Sequence, residues 1–128
     1  IFEQNDITDD IIFYSGSDEE LANLYSYAEF LIFPSLYEGF GVPPLEAMYF
    51  GCPVICSNSS SLPEVVGDSA ITFDPENEIE LKDKMELLIN SKNLRKKLIT
   101  NGKKRIEKFS WRNCANKNYE VYAKINNE

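Results

Sequence analysis

No histidine occurs anywhere in the 128 residues, and no lysine or arginine in the first 81. The first absence removes the side chain that most often serves as general base and as metal ligand at neutral pH. Cys52, Cys56 and Cys114 are an odd number in no paired metal spacing, so a bound metal is not expected. They give no disulfide framework either, and read as buried or free thiols in a reducing cytoplasm. No apolar stretch approaches the roughly 20 residues needed to cross a bilayer, and no signal-peptide pattern is present. The opening IFEQNDITDD reads as already inside a domain, with Asp6, Asp9 and Asp10 a polar lead-in to a strand.

The missing cations point to a charge split. The chain has 21 acidic and 13 basic side chains, for a net charge of −8. Residues 1–81 hold 16 of the acids, while residues 82–128 hold all 13 bases and 5 acids. This balance disfavours nucleic acid, although the basic C-terminal segment could meet an anionic surface. A hydrophobic content of 43% is enough for one core in one small domain. There is no internal repeat or low-complexity segment.

What is present alternates. Short apolar runs at residues 11–14, 30–33, 54–56 and 70–73 predict strands of a covered parallel sheet. Ser17 and Glu20 have capping-box spacing before a helix to about Ala28. Ser61 and Glu64 repeat that spacing before Val65 and Val66, so Glu64 reads as a cap rather than a catalyst. Helices follow at about 78–90, 94–108 and 110–125. Leu81, Met85, Leu88, Leu98 and Ile106 form their core stripe, and Lys82, Lys84 and Lys96 are solvated. The fold class is α/β, a Rossmann-like parallel sheet with flanking helices, followed by C-terminal helices.

Residues 34–48, PSLYEGFGVPPLEAM, carry the functional signal. An apolar run ends at Pro34, a short Gly-rich loop follows, and Pro43 sits where a helix opens. That is the strand, loop and helix mouth with which α/β proteins hold anionic ligands. Gly39 and Gly41 let backbone N–H groups approach a ligand without Cβ obstruction. Glu38 and Glu46 bracket the loop with seven residues between them. Taken alone, a glutamate in a loop or one turn into a helix is a solvated residue or a cap. Leu45, Ala47 and Met48 read as core, and Tyr37 and Tyr49 as core or surface packing, with base stacking as the alternative.

The same stretch closely resembles the retaining glycosyltransferases of family 4, also called group 1, which have the two-domain GT-B fold. Residues 13–16, 17–25 (SDEELANLY), 52–58 (CPVICSN), 61–68 (SLPEVVGD) and 109–111 (FSW) fall in that family's order and spacing. The likeness covers nearly the whole chain. It implies transfer of a hexose, with retention, from a nucleotide-diphosphate-sugar donor to an acceptor hydroxyl, without metal or other cofactor. By the same resemblance, Glu46 would accept hydrogen bonds from the donor's ribose hydroxyls, and Glu38 would lie beside the transferred sugar and reacting centre. The backbone amides of Gly39, Phe40, Gly41 and Val42 would face the sugar hydroxyls and the diphosphate.

The resemblance also implies what is missing. The family's basic residue for the diphosphate, its opening Gly-rich loop and its acceptor-binding N-terminal domain have no counterpart here. The chain then corresponds to the C-terminal half of the donor-binding GT-B domain, in a parent that is cytoplasmic, or peripheral at the inner face of the cell membrane. Alone it is expected to transfer no sugar, to bind donor weakly and to self-associate through uncovered apolar surface. Two other classes stay open: a non-catalytic nucleotide-binding or assembly module, and an unrelated α/β phosphate binder. The four candidate strands would be the last four of a sheet ordered 3-2-1-4-5-6. That order leaves a gap after the first, to be closed by re-pairing, by strands of another copy or by a larger chain.

Overall fold

The structure is a computed structural model and describes residues 8–125; Asp6 lies outside them. After a 3-10 turn at Thr8–Asp10, helix α1 (Asp18–Tyr27) leads to β1 (Leu31–Phe33), α2 (Val42–Tyr49) and β2 (Val54–Ser57). Then come α3 (Leu62–Val66), β3 (Ile71–Phe73) and three consecutive helices, α4 (Glu78–Asn90), α5 (Lys92–Ile106) and α6 (Trp111–Ile125). The three strands are parallel in the order β1-β2-β3. Ile32 stands opposite Ile55, and Ile55 opposite Ile71.

Residues 11–14 do not join this sheet. They run as irregular chain, with Ile12 85% and Phe13 84% exposed. A strand exists only with a ladder partner. In the order 3-2-1-4-5-6 the neighbour of that segment is the second strand, which no described residue supplies. The three strands that do form are consecutive in that order, so no gap opens between them.

Strand β2 is buried at all four positions because helices cover both of its faces. Val54 and Cys56 pack with Ala47, Met48, Leu62 and Val66, the side of α2 and α3. Ile55, one residue out of phase, packs with Phe73, Leu88 and Leu98, the side of α4 and α5. The expected stripe is therefore real: Leu88 and Leu98 are buried, and Leu81, Met85 and Ile106 pack against the core. Gly102 of α5 brings that helix against α2, where a Cβ would stand 3.0 Å from Met48 Cγ.

Of the two expected capping boxes, one forms. Ser17 Oγ accepts from the Glu20 N–H at 3.3 Å, and Glu20 Oε2 accepts from the Ser17 N–H at 2.8 Å. The Ser17 N–H, then the Tyr14 hydroxyl, hold the Glu20 carboxyl below its ordinary range. Ser61 caps nothing with its side chain. Its backbone is already helical (φ −77, ψ −16), whereas a capping side chain needs an extended residue to reach the N3 amide. Helix α5 starts earlier than its apolar pattern, because Ser91 accepts from the Leu94 N–H at 3.3 Å and supplies the cap.

Burial separates the thiols. Cys52 and Cys56 are 2% and 0% exposed, and desolvation raises both to about 11. Cys114, on α6, is exposed. Only the thiolate is nucleophilic. Iodoacetamide at neutral pH should therefore label Cys114 in the native chain, and reach Cys52 and Cys56 only after denaturant is added. Mass spectrometry of the alkylated peptides checks this, and native labelling of Cys52 or Cys56 would refute the packing of β2.

Helix α6 leaves its apolar side chains in solvent: Trp111 is 91%, Tyr119 73%, Tyr122 64% and Ile125 62% exposed. Among the described residues no helix is long and apolar enough to cross a membrane.

Candidate functional site

Parallel strands end on one edge of a sheet, so the loops after β1, β2 and β3 gather there. The loop after β1, residues 34–41, is the motif-bearing one, and it is tied down mainly through its backbone. Ser57 Oγ, at the end of β2, donates to the Ser35 carbonyl. Ser61 Oγ donates to the carbonyls of Glu38 and Phe40, each at 2.9 Å. Ser60 Oγ donates to the Glu38 carbonyl at 2.7 Å and accepts from the Glu38 N–H at 3.4 Å. Ser60 itself sits at φ 55, a left-handed conformation that non-glycine residues rarely adopt. Ser61, whose spacing resembled a helix cap, thus serves with Ser57 and Ser60 as a brace for the loop.

The bracing leaves the Glu38 carboxylate free of these bonds. Glu38 is half-buried, and among the described residues no side chain pairs with its carboxyl oxygens. Gly39 has open space where a Cβ would be, with nothing within 4 Å. Gly41 is the opposite case: buried, at φ 100, with Leu62 Cδ2 2.5 Å from a hypothetical Cβ. It is the N-cap of α2 and provides no side-chain cap. Pro43 and Pro44 follow within the first turn and have no N–H. The Val42 amide is therefore the helix-mouth donor of that turn left for a ligand, beside the amides of Gly39, Phe40 and Gly41.

Glu46 lies one turn further along α2 and is half-buried. The hydroxyl of Tyr25, on α1, donates to Glu46 Oε2 at 3.5 Å. Burial first, and the Glu46 charge next, push the Tyr25 phenol above its ordinary value. Sequence reasoning gave Tyr25 no role, although it closes the segment SDEELANLY that carried part of the resemblance. Of the motif's apolar residues, Ala47 and Met48 are buried and Leu45 packs against them, as expected. Tyr37 and Tyr49 are at the surface, 82% and 66% exposed.

Folding undoes the charge split. A cavity of about 340 Å³ behind the loop is lined by Gly39 and Phe40 together with Arg105, Lys108 and Lys117 of the basic half. Arg105 is occupied by the structure: it donates to the carbonyls of Glu64 and Val65 and lies over the Phe109 ring at 5.4 Å. Phe109 in turn meets Phe40 edge to face at 5.7 Å. Lys108 and Lys117 are exposed cations beside the loop. A larger, mostly apolar hollow of about 530 Å³ opens on the same loop, between Val42, Leu45, Phe109 and Trp111. Among the described residues no group of three or more His, Cys, Asp or Glu could hold a metal.

Comparison with known proteins points the same way. Residues 1–105 match the family described as glycosyl transferases group 1. The O-antigen chain mannosyltransferase B of Escherichia coli is 40% identical over 105 residues, 82% of this chain and 28% of that protein. The MMP alpha-(1->4)-mannosyltransferase of Mycolicibacterium hassiacum is 42% identical over 112 residues, 84% of this chain and 27% of that protein. Among solved structures, sucrose-phosphate synthase from Thermosynechococcus elongatus superposes on 97% of this chain and 32% of its own, with TM-score 0.84 and 26% identity. The chain thus spans little more than a quarter of the two curated relatives.

Proposed function

Since the chain belongs to the group 1 glycosyl transferases, we propose that it is the donor-binding part of a retaining mannosyltransferase with a nucleotide-diphosphate-sugar donor. Its three parallel strands with flanking helices match the fold of GT-B glycosyltransferases. The observation that carries the reading is the arrangement around the helix mouth. The helix mouth at Gly41 has no side-chain cap, Gly39 has open space beside it, and Glu38 and Glu46 flank both in the sequence. Donors aimed at a diphosphate leaving group stabilise charge that grows in the transition state. A carboxylate accepts two hydrogen bonds from a vicinal diol, the chemistry of a ribose.

In this reading the Val42 amide and its neighbours receive the diphosphate, Glu46 receives the ribose, and Glu38 lies beside the mannose at its reacting carbon. No metal is required. The sugar is assigned from the two curated relatives, both named mannosyltransferases. An acceptor-binding N-terminal domain completes the cleft, so turnover belongs to the full-length protein and the 128-residue segment alone transfers no sugar.

The test is Glu46→Gln in the full-length protein. It should weaken donor binding by about 1–3 kcal/mol, the worth of charged hydrogen bonds, with little change in melting temperature. Titration calorimetry with GDP-mannose and UDP-glucose reads the affinity. Unchanged affinity for every donor that binds the parent would remove Glu46 from the site.

A further inference from the structure

Tyr25 touches α2 twice. Its ring stacks on Phe50, the C-terminal cap of that helix, at 6.2 Å between centroids, and its hydroxyl meets Glu46 Oε2 at 3.5 Å. The residue as a whole is 8% exposed, its hydroxyl lies in a part-buried contact, and a phenol so placed is most stable with a partner inside the fold. Glu46 is that partner, and burial with the neighbouring carboxylate keeps the phenol protonated as a donor. Packing alone would be served equally by phenylalanine, which has the same ring.

We propose that Tyr25 is a positioning residue for Glu46: it holds Oε2 so that Oε1 is presented to the ribose diol of the donor. The inference rests on the reading of Glu46 as the ribose contact. A free glutamate on a helix samples several rotamers, and binding must then freeze them. A phenol within 3.5 Å of one carboxylate oxygen biases the side chain toward one orientation, and the second oxygen keeps its lone pairs for the ligand. The arrangement couples α1 to the site without Tyr25 touching the donor.

The experiment uses the full-length protein and removes only the hydroxyl, as Tyr25→Phe. Calorimetry with GDP and UDP finds the nucleotide that binds tighter; its 2′,3′-dideoxy counterpart lacks the diol. Tyr25→Phe should weaken the ribose nucleotide about 5–10-fold, the loss expected for one ordinary hydrogen bond, and leave the dideoxy nucleotide unchanged. The donor KM should rise while kcat at saturating donor stays level. In Tyr25→Phe/Glu46→Gln the loss should equal that of Glu46→Gln alone, since the hydroxyl acts only through that carboxylate. Equal weakening of both nucleotides, or additive losses in the double variant, would leave Tyr25 a packing residue and overturn the proposal. So would a neutral Tyr25→Phe beside an effective Glu46→Gln. A neutral Glu46→Gln would overturn the ribose assignment itself, and the role of Tyr25 with it.

Discussion

Replacing Glu38 by alanine in the full-length enzyme should lower kcat by roughly 10²–10³-fold, the cost of losing one group that stabilises developing charge. Donor affinity should change by less than about threefold. The separation follows from how the loop is built. Every bond that fixes residue 38 runs through its backbone, from Ser60 and Ser61, so truncating the side chain leaves the loop braced. The carboxylate is half-buried and unpaired among the described residues, so its removal orphans no partner and should leave the melting temperature almost unmoved. An interaction made only as the transition state forms lowers kcat and kcat/KM together and spares ground-state binding. Steady-state kinetics with a radiolabelled donor, beside calorimetry, reads both quantities. Parallel losses in affinity and turnover, or a fall in melting temperature large enough to explain the loss, would assign Glu38 a structural role.

Why some of this was legible in the sequence and some not has a physical answer. β2 could be read because it is covered on both faces, and the α2 core positions because they pack in one cluster with it, so apolar run and burial coincide. The Ser17–Glu20 cap was legible because both of its bonds are local. Ser61 and Glu64 had the same spacing, yet Ser61 bonds to carbonyls some 21 and 23 residues away, and spacing says nothing about such partners. The strand expected at residues 11–14 failed for a related reason: an apolar run predicts a strand only if a neighbour exists to complete its ladder. Charge counting along the chain misled in the same way. Arg105, Lys108 and Lys117 are distant from Gly39 in sequence and line one cavity with it in space. Tyr25 stayed hidden because its hydroxyl matters only through a contact between two helices.

Gly41→Val should destabilise the fold by about 3 kcal/mol or more, while Gly39→Ala should stay within about 0.5 kcal/mol of the parent. Two terms add at position 41. At φ 100 a β-branched residue is strained by about 1–3 kcal/mol. A side chain must also enter space that Leu62 fills, because even a Cβ would lie 2.5 Å from Leu62 Cδ2. Leu62 is fully buried and is the first residue of α3, so turning its side chain away disturbs packed neighbours in the core around β2. Gly39 faces open space and carries no such penalty. If that space is where a ligand's sugar meets the backbone, Gly39→Ala should weaken donor binding in a protein of unchanged stability. The two glycines of one short motif would then separate cleanly, one needed for the fold and the other for approach. Thermal denaturation and donor calorimetry on both variants decide the matter. A Gly41→Val protein as stable as its parent would mean that α3 does not pack against the helix mouth as described.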